Sequence, residues 1–225
     1  MCGRFRLTRV DKLAERFDID PDDDWVPRYN IAPAQNIAVI RQHPVEPRCL
    51  GSKMRWGLIP FWAKDASIGY KMINARAETV ASKPGFREAL KKRRCLIPGD
   101  GFYEWAKNGK TKIPFCFTMA DESIFAFAGI WEQWKNPEEY MVETCSIITT
   151  TPNALCADVH DRMPVILPDD TYDLWLDPGY QKTDIICDLL KPFNPDLMRR
   201  YEVSSRVNLV KNDDASCVEP VLIGR

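Results

Sequence analysis

Apolar residues alternate with polar ones over much of the chain and recur at helical spacing only in short bursts, a pattern that predicts many strands and few, short helices. Val10, Leu13, Ala14 and Phe17 make the first burst, with Thr8 as N-cap and Asp11 three residues on, so residues 9–17 read as an amphipathic helix. Five aspartates around Pro21 then form a solvated loop over residues 18–24, and residues 27–33 are too proline-rich for regular structure. Residues 37–41 and 50–56 read as strands joined by a turn at His43-Pro44, and 57–62 as an apolar loop exposing Phe61 and Trp62. A short helix is expected over 86–92 and a strand from 95. A hairpin follows, 102–107 against 110–119, with Asn108-Gly109 as its type I′ turn. Further strands fall at 123–131, 144–150, 163–167 and 197–203, and short helices at 152–159, 171–176 and 184–190. No repeat or linker interrupts the series. It predicts a single α+β domain over residues 1–225, short helices surrounding an antiparallel, barrel-like β core.

At 225 residues and 45% hydrophobic content the chain can bury a full core. No stretch approaches the roughly 18 apolar residues of a membrane span, and arginines at 4, 6 and 9 replace the apolar run of a signal peptide, so a cytoplasmic protein with no membrane partner is expected. The eight cysteines are scattered through apolar runs, as reduced buried thiols are. Without Cys-x-x-Cys or paired histidines, no metal or cofactor is expected. The net charge of −1 argues against coating nucleic acid through overall charge, yet residues 1–112 carry 22 basic against 13 acidic side chains and residues 113–225 carry 9 against 19. That asymmetry fits either a polyanion-facing side or basic and acidic surfaces that pair across the fold.

Candidate chemistry begins at Cys2. Loss of Met1 would leave a thiol, of reference pKa about 8.5, one carbon from a free α-amine of about 8. Such a 1,2-aminothiol condenses with an aldehyde to an imine and then closes a thiazolidine ring; by itself the position fits a frayed terminus better. His160, between Asp158, Asp161 and Arg162, can be tuned for proton transfer near neutral pH, or be a surface histidine in a charged loop. Glu104 stands among Phe102, Tyr103 and Trp105, where shielding would raise its pKa toward a general base. On an extended segment Asn74 and Arg76 point the same way and suit an oxyanion or phosphate; alternatively Arg76 pairs with Glu78. Phe61, Trp62 and Trp105, interleaved with Arg28, Arg55, Lys71, Arg76, Lys83 and Arg87, could stack bases while the cations hold phosphates.

Six ordered stretches carry a resemblance: Met1-Cys2-Gly3-Arg4-Phe5, Arg28-Tyr29-Asn30-Ile31-Ala32-Pro33, Trp56-Gly57-Leu58-Ile59-Pro60, Asn74-Ala75-Arg76-Ala77-Glu78-Thr79, Asp100-Gly101-Phe102-Tyr103-Glu104-Trp105 and His160-Asp161-Arg162-Met163-Pro164. Together the chain closely resembles the SOS response-associated peptidase (SRAP) family of abasic-site processing proteins. The resemblance implies the SRAP fold, a nucleophile at Cys2, and catalytic partners at Asn74, Glu104 and His160. It implies phosphate contacts at Arg4, Arg76 and Arg162, and DNA-lining residues at Pro33, Trp62 and Trp105. Lys83 occupies a position where the family has another basic residue, and a flexible ammonium holds phosphate less rigidly than a guanidinium. The implied protein is a monomer that binds single-stranded DNA at abasic sites, loses Met1 by self-cleavage or to an aminopeptidase, and cross-links through Cys2, with abasic-site lyase activity as a further implied capacity. Two rival readings are a thiol peptidase acting on other proteins and a non-covalent single-strand binding module.

Overall fold

In the computed structural model, which describes residues 2–20, 22 and 24–221, the first strand, β1 (Phe5–Leu7), buries its two apolar ends and leaves Arg6 half-covered between them. Met1, whose loss the sequence reading expects, and Pro21 and Asp23 of the acidic loop lie outside the described residues. The predicted helix is a 3-10 turn, Val10–Lys12, running into α1 (Leu13–Phe17). Thr8 is not its N-cap. Its N–H and hydroxyl donate to Asp100 at 2.6 and 2.7 Å, because a buried carboxylate demands donors more strongly than a helix end in water does. The stretch expected to be irregular contains β2 (Arg28–Ile31), paired antiparallel with β1: Pro27 and Pro33 flank this strand and leave its N–H groups intact.

β3 (Asn36–Gln42) and β4 (Cys49–Trp56) pair antiparallel as the alternation predicts. The chain then reverses where Gly57 and Gly69 meet back to back; a Cβ on Gly57, at φ 129°, would stand 2.7 Å from the Gly69 carbonyl oxygen. This contact closes the base of a loop that leaves Phe61 and Trp62 exposed and returns the chain to β5 (Asn74–Arg76). After α2 (Arg87–Lys92) come β6 (Arg94–Gly99), β7 (Gly101–Asn108) and β8 (Thr111–Met119). The β7–β8 hairpin turns one residue later than the sequence indicated: Asn108 pairs with Thr111, so Gly109 and Lys110 are its central residues. Gly109, at φ 59°, supplies the positive φ at the first central position that a type II′ turn requires. β9 (Phe125–Lys135), β10 (Met141–Thr150), α3 (Ala154–Ala157), β11 (Met163–Pro164), β12 (Ile166–Leu167), α4 (Tyr172–Leu176), α5 (Thr183–Asp188) and β13 (Met198–Glu202) complete the series.

Five strands close a barrel in the order β4–β3–β6–β9–β10, β10 pairing with both β9 and β4. Its closing pair, β10 with β4, is parallel, as is β5 on β10, so the barrel is mixed where an antiparallel one was expected. Residues 144–150 of β10 are buried throughout, the hydroxyl side chains of Thr144, Ser146, Thr149 and Thr150 included. A second sheet, β13–β8–β7–β1–β2, packs on the barrel through aromatic rings. Phe5 of β1 meets Trp56 of β4 and Phe127 of β9 edge-on, with centroids 5.3 and 5.6 Å apart, while Phe102 and Phe117 stack at 4.9 Å. Anchoring Phe5 fixes the three residues ahead of it, and thereby Cys2. All eight cysteines are unpaired thiols, and among the described residues no helix is long and apolar enough to cross a membrane.

Candidate active site

Cys2 is fully buried against the core that Phe5 enters. Asn74 opens β5, whose parallel pairing with β10 sets Asn74 opposite Ile147, and it donates from Nδ2 to the Cys2 carbonyl at 2.8 Å. The Trp56 indole donates to the Ile73 carbonyl at 2.9 Å and fixes the residue before it. Asn74 Oδ1 is buried with no hydrogen-bond partner among the described residues, leaving an acceptor beside Cys2. Burial, followed by the charge of Glu104, pushes the Cys2 thiol well above its ordinary range, so its resting form is protonated.

Glu104 lies on β7 opposite Phe115, 4% exposed, in a strand segment buried on both faces. Burial, helped by the negative charge of Asp161, pushes its carboxyl up to about 8, in the direction its aromatic neighbours indicated. His160 Nε2 stands 3.9 Å from Glu104 Oε2. The His160 backbone is held by the Cys156 carbonyl at 2.9 Å, at the end of α3, whose first turn Asn153 caps by accepting from the Cys156 N–H. The Arg162 N–H donates to His160 Nδ1 at 3.0 Å, which assigns the neutral ring's proton to Nε2, facing Glu104. Asp161 Oδ1 lies 2.9 Å from the same Nδ1; a nitrogen that accepts from Arg162 cannot also donate to Asp161, so this exposed carboxylate pairs with the ring only when it is protonated. Burial lowers the His160 pKa, favouring the neutral ring. Asp158, expected to flank the imidazole, pairs instead with Arg200 at 3.0 Å.

The remaining site residues divide by how their polar groups are used. Arg4 donates from Nη1 to Asn30 Oδ1 and the Val207 carbonyl, at 2.8 and 2.7 Å, and stands 5.9 Å over the Trp105 ring. The Trp105 Nε1–H donates to Asn208 Oδ1 at 2.7 Å. Arg162 forks onto Glu78, so Glu78 is not the partner of Arg76. Arg76 and Lys83 are exposed and make no ion pair among the described residues. Pro33 occupies a turn in which Ala34 takes φ 69°, a conformation usually left to glycine, secured by its N–H on the Trp56 carbonyl at 2.8 Å. Trp62 is 52% exposed, and among the described residues no hydrogen bond or ring contact joins Trp62, Pro33 or Lys83 to Cys2 or Asn74.

Sequence reasoning missed Asn30, Asp213, Asn208 and Cys156. Buried Asn30 donates to the Val207, Leu209 and Asn212 carbonyls, and Asp213 accepts from the Tyr29 and Asn30 N–H groups, so the 207–213 segment is sewn to β2. An asparagine between apolar neighbours in a strand was the available signal. Cys156, buried at the foot of the His160 loop, has its thiol pushed up by burial and then by Glu104. A cavity of about 780 Å³, lined by Met119, Phe125, Leu167 and Phe193 among others, contains none of these residues.

Residues 1–210 match the model of the SOS response associated peptidase family, SRAP. The chain belongs to the SRAP family. The abasic site processing protein YoqW of Bacillus subtilis (strain 168) is 50% identical to this SRAP chain over 224 residues, 97% of this chain and 99% of that one. The abasic site processing protein HMCES of Gallus gallus is 29% identical over 267 residues, 100% of this chain and 79% of that one. A solved structure from Bacteroides thetaiotaomicron has TM-score 0.89 at 31% identity, covering 98% of this chain and 100% of that one. A second, from Bordetella bronchiseptica, has TM-score 0.79 at 27% identity, covering 90% and 100%. The α+β SRAP fold is therefore shared across nearly the whole chain.

Proposed function

We propose that this SRAP chain, acting as one domain over residues 1–225, captures abasic sites in single-stranded DNA as a covalent thiazolidine on Cys2 after Met1 has been removed. The supporting observation is the group around Cys2: its carbonyl held by Asn74, its thiol in the field of Glu104, and the Glu104 carboxyl beside a neutral His160. The names of relatives at up to 50% identity supply the substrate class. A deoxyribose without its base opens to an aldehyde. The Cys2 amine attacks C1′ and expels one water to give an imine; the thiol sulfur then adds to the imine carbon while its proton passes to nitrogen, closing the ring. Glu104, with a pKa near 8, relays those protons at neutral pH, and His160 Nε2–H protonates the ring oxygen as the sugar opens. Lyase turnover would follow if the imine persisted before ring closure.

The thiol's raised pKa favours this reading over a peptidase acting on other proteins, since a Cys–His peptidase lowers its thiol pKa through a neighbouring imidazolium. Met1 loss by self-cleavage or to an aminopeptidase, shielding of the lesion in the DNA damage response, monomeric state and cytoplasmic location belong to the same proposal. Incubation with an oligonucleotide carrying one abasic site yields a complex that survives a denaturing gel, and Cys2→Ala abolishes it. Adduct of equal yield from Cys2→Ala refutes the proposal, as does binding that salt reverses completely.

A further inference from the structure

We propose that Glu78 is an internal stand-in for DNA phosphate: it holds the fork of Arg162 in the free protein and is displaced when a strand binds. The inference rests on the reading of single-stranded DNA as partner. Arg162 Nη1 and Nη2 meet Glu78 Oε1 and Oε2 at 2.6 and 2.9 Å, the parallel two-bond geometry in which a guanidinium also grips a phosphate. Hydrogen bonding to Arg162 holds the Glu78 carboxyl below its usual range, so it is an anion at neutral pH.

The two partners differ in freedom. The Arg162 side chain is 12% exposed and anchored by a 2.6 Å bond from Nη2 to the Thr149 carbonyl, while Glu78 is 48% exposed and, besides Arg162, is held by its own backbone N–H and drawn by the charge of Arg76. Exchange therefore moves Glu78 outward and leaves Arg162 in place. The incoming phosphate would also meet Arg76, two residues along the same segment, exposed and outside any ion pair among the described residues. Because the Arg162 N–H holds His160 Nδ1, this exchange occurs two residues from the catalytic imidazole. Glu78 thus sets how weakly the protein holds an undamaged backbone, leaving retention to the covalent step.

The test is non-covalent binding to an intact single-stranded oligothymidylate, which has no abasic site, measured by fluorescence anisotropy across a salt series. Glu78→Gln keeps the side chain's shape and removes its charge; it tightens binding by about two- to fivefold, the range of one exposed ion pair. It also steepens the log K against log salt slope by up to about 0.7, because phosphate no longer replaces a carboxylate. Glu78→Asp, which retains the charge, binds as the wild type does. Thermal unfolding is measured alongside, and Arg162→Ala in either background removes the gain. Unchanged or weaker binding by folded Glu78→Gln overturns the exchange and makes the pair structural. Failure of the wild type to bind the strand at any salt overturns the functional reading, and this inference with it.

Discussion

Glu104, the carboxyl proposed to relay protons, is buried at the cost of stability. Its folded pKa of about 8 lies above the ordinary 4.5, so the folded state favours its neutral form. The sign follows: the residue costs nothing below pH about 4.5, the cost grows as pH rises toward 8, and it is constant above. Glu104→Gln should therefore raise Tm by several degrees at pH 9 and by little at pH 4.5, measured by calorimetry, while slowing cross-linking at both ends. A uniform Tm change across that range would contradict the assigned pKa. The wild-type cross-linking rate should climb with pH toward 8 as Glu104 ionises to accept protons. This residue was legible because a lone carboxylate among Phe102, Tyr103 and Trp105 is anomalous in a strand. Asp161 was only half legible: it flanks His160, but its pairing with the ring waits on protonation.

At the scale of elements, β2 is the part the sequence hid. Prolines at 27 and 33 suggested irregular chain, yet they bracket a strand whose polar groups organise a distant segment. Asn30 accepts from Arg4 and donates to three carbonyls of residues 207–212, a use of one side chain that local pattern cannot disclose because its partners lie some 180 residues away. Asn30→Ala should lower stability by roughly 2–4 kcal/mol, or Tm by several degrees, since it strands buried acceptors and loosens Arg4. Cross-linking should slow as well, because Arg4 and Asn208 set the Trp105 ring. Calorimetry checks the first effect and a timed gel the second; an unchanged Tm would contradict the account of the segment. Thr8 and the hairpin turn were misread for a similar reason: Asp100 and the Asn108–Thr111 register are tertiary facts.

Over the whole molecule, alternation and burial were enough to indicate a barrel-like α+β protein, and the six motifs its family. The parallel closure by β4 and β10 was not legible, since period-two patterning does not encode strand direction. The charge asymmetry resolves in part through pairs that cross the fold: Arg16–Asp169, Arg28–Asp213, Arg41–Glu143 and Arg93–Glu132 each join the basic half to the acidic one. Arg76 and Lys83 stay exposed and make no ion pair among the described residues, and these are cations that the proposed strand would meet. The barrel and its second sheet bury Cys2 beside Asn74 and Glu104, making the chain's start the organised centre of the site. The central claim is that this start reacts as a free aminothiol, and mass spectrometry of the purified adduct tests it most directly. The account predicts a mass equal to protein lacking Met1 plus the abasic oligonucleotide minus one water, with fragmentation placing the DNA on Cys2. An adduct that retains Met1, or one attached to any other residue, would contradict it.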